Sequence, residues 1–129
     1  MRFSAGDGEF AVDVAHAVEV ITADGIVPLP DPAPGVVGLV HRRDAAIPVL
    51  ALLGTVPGSG RQHVLIVDRG GSLVGLLVDR VDAVMAIAGD RFRPAPPGQH
   101  VVVVEAVFID AHGMVMVIDP RLLLAHRPS

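Results

Sequence analysis

The chain has 129 residues, 51% of them hydrophobic and 19% charged, with a formal net charge of −4. This suits one domain with a buried core and excludes a disordered tail. The lack of Cys excludes disulfides and thiolate metal sites, the acidic balance argues against a phosphate-backbone partner, and 3% aromatics, all Phe, leave almost no stacking platform for bases or sugars.

In chain order, Phe3 and the turn-rich Gly6-Asp7-Gly8-Glu9-Phe10 come first. The N-terminal residues lack the apolar core of a signal peptide. Phe10 to Val14 alternates weakly and reads as a strand, and Val18 to Ile21 as a second short extended segment. Asp24-Gly25 marks a turn. Pro28, Pro30, Pro32 and Pro34 then exclude helix and central strand, leaving an extended connector.

The next stretch carries two apolar runs, Val36 to Val40 and Ile47 to Leu53, about the charged break His41-Arg42-Arg43-Asp44. Two such runs around a polar turn predict a hairpin with Arg42 and Arg43 at its tip. Charged tips are commonly just solvated, so this stretch alone weighs equally between a bland and a functional reading. A loop from Thr55 to Arg61 follows. His63 to Val67 and Leu73 to Val78 then form a second hairpin about Arg69-Gly70-Gly71. Val81 to Ile87 reads as extended, and Pro94, Pro96 and Pro97 repeat the proline connector. Val101 to Ile109 and Met114 to Ile118 make the last hairpin. The first of these runs is cut by Glu105 and is too short to span a bilayer, so no direct membrane insertion is expected. One helix has end signals, with Asp119 as N-cap and Pro120 at its first position, leading into Arg121 to Leu124.

Short strands at regular spacing predict an all-β barrel or sandwich. An internal repeat sharpens this. Val12-Asp13, Ala17-Val18, Ile21, Asp24, Pro28 and Pro30 recur at constant offset as Val78-Asp79, Ala83-Val84, Ile87, Asp90, Pro94 and Pro96. Two similar small barrels sharing one core are the physical reading.

Catalytic chemistry is missing from the pattern. The six histidines, His16, His41, His63, His100, His112 and His126, show no metal-ligand spacing. Neither Ser59 nor Ser72 sits in a nucleophile elbow. Asp79 and Asp82 make a carboxylate pair on paper, but turn or strand-end roles fit them better. No catalytic residue, metal or cofactor is assigned, and a chain of this kind works by its surface.

The order of motifs resembles the CheW-like family, adaptors of bacterial chemosensory arrays. Glu9-Phe10-Ala11-Val12-Asp13-Val14 is similar to the family's opening strand. Ala17-Val18-Glu19-Val20 is similar to its acidic segment. Gly38 to Leu52 fits its G-[VI]-x-N-L-R-G-x-x-[IV]-P-[VI]-x-D-L frame without a gap. Val74-Gly75-Leu76-Leu77-Val78-Asp79-Arg80-Val81 and Phe92-Arg93-Pro94-Ala95-Pro96 match two further elements. Departures from the frame are His41, Arg42, Asp44 and Ala51.

The resemblance implies two five-stranded SH3-like β-barrels around a shared core, with a short C-terminal helix, as a single domain over residues 1–129. It implies a non-enzymatic, cytoplasmic adaptor with two partners, a CheA-type histidine kinase and the cytoplasmic tip of a methyl-accepting chemoreceptor. It places Arg43, Glu19, Gly38 and Val40 at the receptor-binding position, in a groove between the barrels, and Val78, Asp79 and Val81 on the kinase-binding barrel. Asp44 stands where the family has Gly, and is suited to a positive φ if that position needs one. Two alternatives remain open. One is a divergent scaffold of a non-flagellar chemosensory-like pathway; the other is a small-ligand-binding barrel, whose site should be enclosed rather than open.

Overall fold

A computed structural model describes residues 1–6, 8–30, 35–51, 57–58, 60–82, 93–94, 104–110 and 113–120. In chain order its strands are β1 (Arg2–Ala5), β2 (Gly8–Val12), β3 (Ala17–Thr22), β4 (Val27–Pro28), β5 (Val36–Arg42), β6 (Ala45–Ala51), β7 (His63–Asp68), β8 (Leu73–Val78), β9 (Arg80–Val81), β10 (Arg93–Pro94), β11 (Val104–Asp110) and β12 (Gly113–Ile118). Single 3-10 turns at Val14–His16 and Ala23–Gly25 are the only helical elements bounded within the described residues.

The strands form two six-stranded sheets, ordered β10-β11-β12-β2-β1-β9 and β4-β5-β6-β8-β7-β3. The orders correspond strand for strand. In each, a parallel pair (β12 with β2, β6 with β8) joins one hairpin to another, and all other pairings are antiparallel. The internal repeat maps onto this correspondence. Val12 and Val78 end equivalent strands β2 and β8, while Pro28 and Pro94 sit in equivalent edge strands β4 and β10. An edge strand is where a residue without an N–H is tolerated. Each sheet therefore combines the first hairpin of one half with the later strands of the other. The count is six per sheet rather than five because two-residue segments pair at the edges.

Connection length forces the second sheet to roll up. Its opposite edges are β3 and β4, yet only Ala23–Ile26 separate them in sequence. Flat, five strand spacings would put those edges ~24 Å apart. Thr22 to Val27, fully extended, spans only ~17 Å.

β7 and β8 are buried on both faces, which explains their unbroken apolar runs. Leu65, Val67, Val74, Leu76 and Val78 face a core shared with Phe3, Ala5, Phe10, Val12 and Ile118 of the first sheet. Val64, Ile66 and Leu77 turn the other way, into the interior of the second sheet with Val40, Ile47 and Val49. Phe3 and Phe10 stack at 5.6 Å in the shared core. Gly75 lets these layers close, since a Cβ there would stand 2.6 Å from Val64 Cγ1.

Several sequence expectations change. Val14 leaves the strand because the Asp13 carboxylate accepts from the Ala15 amide at 2.9 Å and turns the chain. Arg2–Ala5 is a strand paired with β2, where the sequence was read only as the approach to a turn. The hairpin strands extend through Arg42 and from Ala45, leaving a two-residue turn. Ala83 to Ile87, Asp90, Pro96, the connector prolines Pro32 and Pro34, and Arg121 to Leu124 of the expected helix lie outside the described residues.

Candidate functional site

The β5–β6 hairpin ends in the turn Arg43-Asp44, with Arg42 and Ala45 as the last paired residues. Arg43 has φ 56°, the only positive φ on a non-glycine among the described residues. The positive φ thus falls on Arg43 and not on Asp44, the residue that would have suited it. Of the two turn residues, only the first has positive φ. The Arg43 side chain is exposed, as expected of a hairpin tip.

Arg42 behaves differently. It lies two residues from Val40 on one strand, so it shares Val40's inward face. Glu19 pairs with Ile66 in the β3–β7 register, and Ile21 with Val64, both of which line the same interior. Glu19 therefore also faces inward, and its Oε2 accepts from Arg42 Nε at 2.9 Å. The pair caps the mouth of the rolled sheet above Val40 and Ile66. It is partly exposed, at 22% for Arg42 and 42% for Glu19. Among the described residues, no ion pair includes Arg43.

A bulge in β3 supports this placement. Ala17 pairs with Val67 but Glu19 with Ile66, so Val18 is the extra residue. The bulge turns Glu19 inward and leaves Val18 and Val20 on the surface, 42% and 37% exposed. Val14, 52% exposed, lies in the segment that crosses from the first sheet to the second. Val18 and Val20 thus flank the residue that pairs with Arg42 of the hairpin.

The other candidate residues fall elsewhere. Val40 is 1% exposed, in the interior of the second sheet, so its side chain presents no surface. Gly38 is buried against β4, where a Cβ would overlap the Val27 carbonyl and stand 2.9 Å from Ile26 Cγ2. Val78 is fully buried in the shared core, and Val81 is half-buried against it. Asp79 is a clasp. Its Oδ2 accepts from the Gly6 amide at 2.7 Å and its Oδ1 from Gln62 Nε2 at 2.9 Å. Gln62, 7% exposed, also accepts from the Gly58 amide through Oε1 at 2.8 Å. Asp82 does not join Asp79; it takes the Arg80 guanidinium at 3.0 Å. The sequence put Arg42 at the hairpin tip and marked it as a departure from the family frame but gave it no site role, and it did not single out Gln62. Parity with Val40 was the available signal for Arg42; nothing local marked Gln62.

A cleft of about 1050 Å³, open on one side, lies at another end of the second sheet, lined by Thr22, Asp24, Val37, Arg61, His63 and Leu77 among others. Arg43 and Glu19 are not part of it. Among the described residues no group of three or more His, Cys, Asp or Glu is placed to hold a metal ion. No helix among them is long and apolar enough to cross a membrane.

Comparisons with known proteins agree with this architecture. A solved structure described as the scaffolding protein TtCheW from Thermoanaerobacter tengcongensis superposes with a TM-score of 0.86, covering 99% of this chain and 92% of that one at 24% identity. Two curated relatives are each named chemotaxis protein CheW. The one from Rhizobium meliloti is 31% identical over 101 residues, 74% of this chain, and the one from Klebsiella aerogenes 23% identical over 99 residues, 73% of this chain. The matches span 65% and 60% of those relatives' lengths. The family and its solved neighbour are scaffolding proteins, not enzymes. The CheW-like domain model matches residues 1–127, and the chain belongs to that family.

Proposed function

We propose that this chain is a cytoplasmic signalling adaptor that couples a CheA-type histidine kinase to the cytoplasmic tip of a methyl-accepting chemoreceptor. It works as one domain of two barrel-like halves. The observation that carries the reading is the exposed Arg43, held on a strained two-residue turn next to Arg42, whose partner Glu19 is flanked by Val18 and Val20, and outside any described ion pair. Strained, exposed cations are suited to recognition rather than stability. Glu19 supports the surface through its pair with Arg42, while Gly38 and Val40 shape the strand that carries it. On the kinase side, Val78 and Asp79 act through the framework and Val81 is the partly accessible residue.

The test is a titration of the full chain against a soluble fragment carrying a chemoreceptor tip and, separately, against the regulatory domain of a CheA-type kinase. Micromolar binding to both supports the reading. Binding to neither at high micromolar concentration refutes it.

A second reading, a small-ligand module, rests on one side chain of the cleft, although the cleft is open where such a site should be enclosed. His63 lines it, and His63 Nδ1 is buried without a hydrogen-bond partner. A saturable rise in melting temperature across a small-molecule panel, with no protein partner bound, would favour this reading.

A further inference from the structure

We propose that Arg42 is a positioning residue of the adaptor surface, one that latches β3 to the β5–β6 hairpin through Glu19; the inference rests on the reading above. The argument begins with topology. β3 and β5 are separated by three strands in the sheet, β7, β8 and β6. The 2.9 Å contact of Arg42 Nε with Glu19 Oε2 therefore does not belong to a ladder between neighbours. It bridges the seam where the rolled sheet meets itself.

Across the seam β3 is held by the packing of Ile21 on the sheet interior and, among the described side chains, by this ion pair. β3 pairs with β7 alone and carries a bulge at Val18. A bulged edge strand is loosely held where the extra residue interrupts the ladder. Glu19 follows the bulge directly, so the latch acts at the weak point. When it is closed, Val18 and Val20 stay fixed on the outer surface and the carboxylate of Glu19 is occupied. The cation left for a partner is then Arg43. Two adjacent arginines thus divide the work: Arg42 faces inward and sets the geometry, and Arg43 faces out and meets the partner.

The test uses the full chain and three variants: Arg42→Gln, Arg42→Glu, and the charge swap Arg42→Glu with Glu19→Arg. Two readouts are needed. One is amide hydrogen exchange at Val18 to Ile21, referenced to Leu65 and Leu76 in the shared core. The other is affinity for a soluble chemoreceptor-tip fragment beside affinity for the kinase regulatory domain. Both single variants should speed exchange at Val18 to Ile21 about tenfold and leave the core amides unchanged. They should weaken tip binding about tenfold and leave kinase binding within about twofold. The swap should bring exchange and tip binding back to within about threefold of the parent. Unchanged exchange in Arg42→Gln overturns the proposal, as does a swap that folds without restoring β3. If Arg42→Glu unfolds, a folded swap variant supports the latch and an unfolded one overturns it. If the parent itself fails to bind the tip, the adaptor reading falls, and the latch is judged on exchange alone.

Discussion

Arg42 Nε sits 2.9 Å from Glu19 Oε2, while Arg43, the next residue, takes φ 56° at the turn and points to solvent. One step along the chain exchanges an inward role for an outward one. The two arginines are therefore not interchangeable in what they do to folding and to binding.

The first prediction separates those effects at Arg43. Arg43→Glu removes an exposed cation, and such changes shift stability by less than about 0.5 kcal/mol. Arg43→Gly relieves a left-handed residue, which costs an L-amino acid ~1–2 kcal/mol, against ~0.5–1 kcal/mol of added unfolded-state freedom. It should leave the melting temperature unchanged or raise it, with a net gain of up to about 1.5 kcal/mol. Both variants should bind a chemoreceptor-tip fragment at least about tenfold more weakly, a loss of ~1.4 kcal/mol. Calorimetry and titration on the same samples check this. A clear drop in melting temperature for Arg43→Gly would show that the side chain holds the turn.

The second prediction concerns Gly38, where the close approach of β4 leaves no room for a side chain. A Cβ there meets the Val27 carbonyl, which is backbone and cannot rotate away, and Ile26 Cγ2 at 2.9 Å. Gly38→Ala should cost ~1–3 kcal/mol, the usual range for overpacking. Gly25→Ala is the control, since nothing stands within 4 Å of a Cβ at that position. Urea unfolding of the two variants should show a lower midpoint for Gly38→Ala only.

The third prediction concerns Asp79. Its carboxylate accepts from the Gly6 amide at 2.7 Å and from Gln62 Nε2 at 2.9 Å, tying the β1–β2 turn and the loop before β7 to the end of β8. Asp79→Ala removes the acceptor from the Gly6 amide and from Gln62 Nε2 and should cost ~1–3 kcal/mol. If Asp79 serves the kinase surface only through this clasp, Asp79→Ala should bind the kinase domain normally at temperatures where it remains folded. Weaker binding by fully folded protein would give Asp79 a direct contact.

Much of this was readable from the sequence. The hairpins β5–β6 and β7–β8 announced themselves through apolar runs bounded by turn residues. The repeat matches Pro28 with Pro94, but as connector residues, whereas they sit in the edge strands β4 and β10. What stayed hidden was non-local. Nothing around Val49 or Gly75 signals that β6 and β8 pair in parallel. The division of β7 into Val64 and Ile66 on one core, and Leu65 and Val67 on another, is masked because every position is apolar. Val14 was misread because the Asp13 side chain outcompetes strand pairing locally. Arg42 and Arg43 could not be told apart without the turn's register. A one-residue shift in a hairpin reverses which side chain faces in, and the family frame had drawn attention to Arg43.

The last prediction turns on Asp68 at the β7–β8 turn. Its Oδ1 accepts from the Gly70 amide at 2.9 Å and the Gly71 amide at 2.8 Å. Gly70 and Gly71 have φ of 100° and 112°, so the turn depends on glycine at both positions. The Gly71 and Gly70 amides stabilise the charged carboxylate and hold its pKa below the usual 3.8, in that order of strength. A carboxyl whose pKa is depressed on folding adds stability that is fully present above its unfolded value. That stability is lost as pH falls through the folded value. The protein should therefore lose stability below about pH 4, and part of that loss should belong to Asp68. Asp68→Asn keeps an oxygen to accept from the two amides but cannot titrate. Its melting temperature should fall less steeply than the parent's between about pH 4 and pH 2. Parallel curves for the two proteins across that window would show that the turn carboxylate makes no contribution to acid unfolding.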